Sequence, residues 1–368
     1  MRRANFMFGG ACAVALALAT WIVSVVEDLP IRDPDGVVVP AYLQIPAILG
    51  FAWLLDVVPR TIGRSRGDWQ HLRARFSEVV HERWNRRHSF FALSGLATWY
   101  VSYAAFRNLK SDVPFVNGKI WDDHLRRLDH TLWFGHDPAN VLHSLFGTTV
   151  AAELFSLVYV AWIVLVPASI AIALIFTRHP AAGSWYVTAV SLCWAFGAIG
   201  YFALPTLGPA YTQPQNFSGL KHTYTTTLIQ QLWDDRVKVV PTPGAGGANL
   251  GGDPHATHVV QTIAAFPSLH VGIMVTICLF FTLIGAAKWL RVTAWTFLAL
   301  TVLATIYFGW HFSVDTLGGA ILGASAVYVA ALGTGNRVGL RPRLVERGTY
   351  EEPLEDEARP SEPATRSA

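Results

Sequence analysis

Along this chain, stretches of about 20 residues nearly free of charge recur, and a helix of that length crosses the roughly 30 Å hydrocarbon core of a bilayer. Eight are read, at residues 8–26, 38–58, 90–107, 148–176, 184–204, 267–285, 292–309 and 311–332. Backbone in lipid has to satisfy its own hydrogen bonds, so each stretch is expected to be a helix. Composition agrees: 52% of the residues are hydrophobic and 14% charged, where soluble domains carry about 25% charge. The expectation is an all-α, polytopic membrane helix bundle of about eight transmembrane helices. The first stretch follows Met1-Arg2-Arg3 and runs on through Trp21 to Val26 without a polar break, which reads as an uncleaved anchor and not a signal peptide.

Basic residues set the orientation, because short loops rich in Lys and Arg stay in the cytoplasm. Eight arginines between Arg60 and Arg87 mark that loop as cytoplasmic, and counting outward puts Lys288, Arg291, Arg337, Arg341 and Arg343 on the same side. Both termini are then cytoplasmic, in a multi-pass protein of the cell membrane. The balance of 28 Lys plus Arg against 25 Asp plus Glu is too even to point to a nucleic-acid partner. Cys12, Cys193 and Cys278 lie inside apolar runs with no metal-ligand spacing, so they read as packing residues, and no metal or cofactor is expected. Oligomeric state leaves no signature.

Between the spans, residues 111–147 alternate Ile120, Leu125, Leu128 and Leu132 with Asp122, Asp123, Arg126, Arg127 and Asp129, the pattern of an amphipathic helix lying in the interface. Asp122, Asp123, His124, Asp129 and His130 are assigned to its solvated face. Residues 212–265 are polar and include a glycine-dense run at 244–252, which suits a mobile lid. The tail at 336–368, rich in Glu, Pro and Arg, reads as disordered.

Ionisable groups are costly inside a bilayer, so those at span ends carry a functional hypothesis by default. Four groups stand out: Arg107 to Lys110, Leu204 to Tyr211, Phe266 to His270, and His311 to Asp315. The orientation above puts all four on the extracytoplasmic face. Pro267 favours a helix start, where the backbone N–H groups of Ser268 and Leu269 make a phosphate cradle and His270 stands one turn in as a proton donor. His311 and Asp315 are four residues apart at the start of the eighth span, so they are expected to sit on one helical face with their side chains in reach of each other. A carboxylate at His311 Nδ1 leaves the Nε2 lone pair facing outward, a positioned nucleophile. Gly318, Gly319 and Gly323 are read as permitting close helix packing.

Ala265-Phe-Pro-Ser-Leu-His270 followed by Thr305-Ile-Tyr-Phe-Gly-Trp-His-Phe-Ser-Val-Asp315 resembles the second and third signatures of the type 2 phosphatidic acid phosphatase superfamily. The likeness is closest to the branch holding fungal inositol phosphorylceramide synthases, and it covers roughly residues 90–332. It implies metal-independent phosphoryl transfer through a phosphohistidine: His311 attacks, Asp315 orients it and His270 protonates the leaving oxygen. The expected organisation is an N-terminal transmembrane pair at 1–60, a basic cytoplasmic loop at 61–89, a catalytic membrane domain at 90–335 and the tail. The expected partners are a lipid phosphate substrate and the surrounding membrane lipids.

Departures from the phosphatase branch shape the rest. Thr305 stands where that branch has an arginine, and its lysine motif is absent, so Arg107 and Lys110 are the expected phosphate cations, with Tyr211 a weaker phosphate ligand. These departures favour a head-group phosphotransferase of the inositol phosphate type over a lipid phosphate or polyprenyl phosphate phosphatase. A proton-coupled transporter is the reading from another class, and it would need polar residues at mid-span. His255 and His258, with Asp253 nearby, have metal-like spacing but sit in the lid, and are read as incidental.

Overall fold

The computed structural model describes residues 6–33, 41–65, 67, 69–177, 179–240, 242–243, 249–250, 255 and 263–336. Thirteen α-helices follow one another among them: α1 (Met7–Val26), α2 (Ala41–Ser65), α3 (Leu72–Arg83), α4 (Arg86–Val116), α5 (Asp122–Leu132), α6 (Pro138–Phe146), α7 (Val150–Ala171), α8 (Pro180–Ala203), α9 (Pro209–Thr212), α10 (Tyr224–Val239), α11 (Leu269–Leu283), α12 (Lys288–Tyr307) and α13 (Ser313–Gly333). A π turn, Ile172–Phe176, continues α7. The one departure from helix architecture among the described residues is a two-residue antiparallel pairing of Thr242–Pro243 with Asn249–Leu250.

A helix stands at each of the eight stretches read as spans. Among the described residues, five are long and apolar enough to cross a membrane: α1, α7 with its π turn, α8, α12 and α13. Helix α11 is apolar but shorter. The chain is read as a membrane-embedded protein on these helices.

Helix α8 is the centre of the bundle, with Trp185, Val187, Val190, Cys193 and Tyr201 all buried. Helix α11 packs along α13 and both touch α8, while α4 packs on α8 beside α1, and α12 joins α11 to α7. The crossing of α11 and α13 is close because it is made through glycines, as the sequence suggested: a Cβ at Gly319 would overlap the Ser268 carbonyl, and one at Gly323 the Gly272 carbonyl. Thr276 Oγ1 seals the seam, 3.0 Å from the Gly272 carbonyl and 3.2 Å from that of Gly323. This contact fixes the separation of the two helices whose beginnings carry His270 and Asp315. The Cys193 and Cys278 side chains are buried in the core, in keeping with a packing role.

At one end of the bundle the arginine-rich loop folds partly as helix, with α2 running on to Ser65 and α3 following. Buried Asp56 ties it down, accepting from Arg60 Nε at 3.0 Å, Arg83 Nε at 3.3 Å and Trp84 Nε1 at 3.2 Å.

The lid differs from expectation. Residues read as a mobile loop contain the four-turn helix α10, started by a capping box in which Thr223 and Thr226 satisfy each other's N–H groups. Alternating polar residues hid the helical face formed by Leu228, Leu232 and Arg236. Most of the glycine run, with His258 and Asp253, and the tail from residue 337 lie outside the described residues; His255 is exposed.

Candidate active site

All four polar groups singled out at the span ends meet at the opposite end of the bundle from Asp56. Backbone bonds stitch three of them together: Ala265 N–H to the Thr206 carbonyl (3.0 Å), Ala210 N–H to Gly309 (2.8 Å) and Ser268 N–H to Asp315 (3.0 Å). At their junction His270 Nδ1 lies 3.0 Å from His311 Nε2. Two neutral imidazoles this close need one donor and one acceptor between them. With its Nδ1 toward Asp315, His311 offers the Nε2 lone pair, and the shared hydrogen then belongs to His270.

Asp315 is fully buried and its Oδ2 is 3.5 Å from His311 Nδ1, a contact longer than a good hydrogen bond. The same Oδ2 accepts the Phe312 N–H at 2.8 Å, whereas Oδ1 has no hydrogen-bond partner among the described residues. This corrects the expected geometry. His311 and Asp315 do not share a helical face, since α13 starts at Ser313 and His311 precedes it. Asp315, three residues past the cap Phe312, reaches back to the cap N–H, and that turn sets His311 beside it.

The phosphate cradle is corrected as well. Helix α11 starts at Leu269 with Ser268 as its cap, so Pro267 falls before the cap and not in the first turn. The Ser268 N–H is spent on the Asp315 carbonyl, which welds the starts of α11 and α13 together but removes it as an anion donor. Leu269 lines the cavity described next.

That cavity holds about 760 Å3 and takes in His270, His311, Arg107, Lys110 and Tyr211. The two cations expected to meet phosphate therefore share one space with the histidines. Lys110 Nζ stands 4.9 Å over the Tyr201 ring, and Arg107 Nη1 donates to the Tyr103 hydroxyl at 2.9 Å. Tyr211 stacks on Trp233 with ring centres 5.5 Å apart, and its hydroxyl donates to the Ile229 carbonyl at 3.3 Å, which weakens it as a phosphate ligand. Around His270 the rings of Trp162 and Tyr159 lie at 4.3 and 5.1 Å. Trp162 Nε1 also donates to the His270 carbonyl at 3.1 Å, and Tyr159 stacks on Trp310. These rings form an aromatic wall beside His270.

The sequence pattern of the PAP2 superfamily matches residues 123–329. The chain belongs to that superfamily. No match was found among curated proteins or among solved structures. The PAP2 match takes in His270, His311 and Asp315 but begins after α4, so Arg107 and Lys110 lie outside it.

Two buried acids, Asp129 within the PAP2 region and Asp122 just ahead of it, correct the reading of α5 as carrying its aspartates to solvent. Asp122 is 4% exposed and Asp129 2%. Asp122 accepts the N–H groups of Leu207 (2.9 Å) and Gly208 (2.8 Å). Asp129 accepts from Ser313 N–H (2.8 Å), Ser313 Oγ (2.6 Å) and Val314 N–H (3.1 Å). The first N–H groups of α13 have no partner within the helix, and a carboxylate there satisfies them. Burial pushes both carboxyls above their usual range, with these bonds pulling the other way. The signal was in the sequence: Asp122, Leu125 and Asp129 fall on one helical face, and Leu125 is apolar.

Asp129 thus holds the start of α13, two residues after His311. Asp129→Asn is expected to cost about 1.5–3 kcal/mol of stability, the worth of hydrogen bonds to a charged group. It should also lower kcat with KM little changed. Thermal unfolding in detergent and steady-state kinetics check the two.

Arg236 was missed too. It is 8% exposed, on the α10 face that brings Leu228 and Leu232 to the cavity, and burial lowers its pKa to about 10. Its Nη1 has no hydrogen-bond partner among the described residues.

Proposed function

We propose that this PAP2 protein is a membrane enzyme that transfers the phosphoryl group of a lipid-linked phosphate ester through a phosphohistidine, preferably to an alcohol. The observation that carries this is the 3.0 Å approach of His270 Nδ1 to His311 Nε2 at the cationic end of an otherwise apolar cavity. His311 Nε2 attacks phosphorus; the N–P bond forms while the P–O bond to the leaving group breaks, and that oxygen takes a proton from His270, which enters this step with substrate bound as the imidazolium and leaves it as the neutral imidazole. In the second half the acceptor hydroxyl gives its proton to His270 and attacks phosphorus, and the N–P bond breaks to restore His311. Reacting atoms have to stand about 3–3.5 Å apart before bond formation, so the imidazoles part to admit the phosphoryl group. Asp315 stabilises the charge that appears on His311, and Lys110 and Arg107 neutralise the phosphoryl oxygens. Arg236 is a third cation within the lid.

In this reading α2, α4 and α11 cross the membrane as well, making eight crossings. The site faces the extracytoplasmic side and both termini face the cytoplasm, as the arginine placement indicates. Alcohol is favoured over water because the cation motifs of the phosphatase branch are absent and the signatures resemble those of the synthase branch. The resemblance to inositol phosphate transfer makes that head group the first to try. A phosphatase is the second reading, supported by the superfamily assignment.

The test is to incubate purified protein with phosphatidylinositol, phosphatidate and polyprenyl phosphates, with and without alcohol acceptors, and to identify products by mass. A transferase yields the alcohol phosphate and little free phosphate; a phosphatase releases phosphate regardless of alcohol. Every catalytic role is filled by a side chain, so turnover should survive EDTA. No product from any donor would sink the proposal.

A further inference from the structure

Resting on that reading, we infer that the segment following α1 is a positioning strap for the active site: Arg32, through Asn108 and Asp112, holds the outer end of α4 so that Arg107 and Lys110 stand at the phosphoryl group. Helix α1 ends at Val26, the chain turns at Asp28, whose φ of 52° is left-handed, and Leu29, 5% exposed, seats the return. Arg32 N–H then donates to Asn108 Oδ1 at 2.8 Å, and Asn108 Nδ2 donates back to the Arg32 carbonyl at 2.9 Å. One amide side chain thus satisfies both backbone groups of a strap residue, the two-way exchange seen between paired residues of antiparallel strands. About one turn away, Thr20 Oγ1 donates to the Ala105 carbonyl at 3.2 Å. Helix α1 and the strap therefore grip α4 at two levels.

The helical period divides the end of α4 into two faces. At 3.6 residues per turn, Arg107 and Lys110 fall about 60° apart, and Asn108 and Asp112 about 40° apart on the opposite side. The structure follows this division. Arg107 and Lys110 line the cavity with the two histidines, whereas Asn108 and Asp112 are 4% and 3% exposed, and Asp112 is in electrostatic reach of Arg32. Left to itself this end of α4 is weak. Arg107 and Lys110 repel each other across one turn, and Pro114 lies inside the helix, so the Lys110 carbonyl loses the bond that residue 114 would have donated. The strap braces the turn from behind. All of these residues precede the PAP2 match, which begins at residue 123.

The experiment compares wild type with Asn108→Leu, which keeps the volume and removes both bonds, in the full-length protein in detergent. It measures binding of inorganic phosphate by calorimetry, and kinetics with whichever donor the product assay shows to be used. The expected result is weaker phosphate binding, a raised KM and a kcat/KM lower by about 10- to 100-fold, the scale of a misplacement of about 1 Å. The decisive reading is coupling. Asn108 and Lys110, two residues apart, do not face each other, so a residue that merely supports the fold should add its effect to that of Lys110→Gln. A strap that works through the cations should instead lose most of its effect on phosphate binding once Lys110→Gln is present. Full additivity, or unchanged phosphate affinity in folded Asn108→Leu, overturns the inference. Should Asn108→Leu fail to fold, Arg32→Gln takes its place in the same cycle, judged by the same outcomes. The binding cycle needs no turnover, so a wild type inactive on every donor defeats the reading beneath while the cycle still decides the strap.

Discussion

Replacing His311 with alanine is expected to abolish covalent labelling of the protein and to lower turnover by roughly 10⁴- to 10⁶-fold, the range seen when a nucleophile is removed from an intact site. In the proposed chemistry no other side chain is placed to do its work. His270 is the nearest base, but it is assigned the leaving-group proton, and a single imidazole cannot hold that proton and attack phosphorus in the same step. Brief incubation with a donor radiolabelled in its phosphate, followed by an alkaline quench, should leave label on wild type, since N-linked phosphate survives alkali. The alanine variant should carry none. His311 is almost fully buried, so an unfolding curve for the variant has to accompany the result. Label that persists in a folded His311→Ala protein would move the nucleophile elsewhere.

Asp315→Asn probes the same step more gently. Its Oδ2 already holds the Phe312 N–H, so an amide can keep the turn while losing the charge that stabilises the imidazolium. An effect on turnover larger than that on folding would separate the electrostatic role from the capping one.

The helices were legible in the sequence because lipid imposes a simple requirement: long uncharged runs that satisfy their own backbone. Leu269–Leu283 and Ser313–Gly333 fall where hydropathy put them. The gathering of polar groups at one end was legible too, since arginine placement alone assigned the four groups to one side. What escaped were features set by backbone partners. Asp129 looked like a solvated acid because its spacing from Asp123 and Arg126 suits a polar face; nothing local announces that the orphan N–H groups of Ser313 and Val314, some 180 residues away, would claim it. The Ser268 cradle failed for a related reason. A free helix start attracts anions, but here the Asp315 carbonyl arrives first, brought close by Gly319 and Gly323.

Loss of His270 should separate its two possible contributions. With an alkyl phosphate donor, His270→Gln is expected to slow the reaction by about 10²- to 10⁴-fold, the usual worth of a general acid. An alkoxide is a poor leaving group and departs only as its oxygen is protonated. A p-nitrophenyl phosphate diester leaves as a stabilised phenolate and needs no proton, so with that donor the variant should form the labelled intermediate at close to the wild-type rate. Its resolution by an alcohol, which needs the same residue as a base, should then be slow, and labelled protein should accumulate. Glutamine is the informative replacement because it retains a donor toward His311 and fills much of the space between Trp162 and Tyr159. Equal losses with both donors would mean that His270 serves mainly to hold His311 in place through the 3.0 Å contact, and the acid would have to be sought among the cations at the head of the cavity.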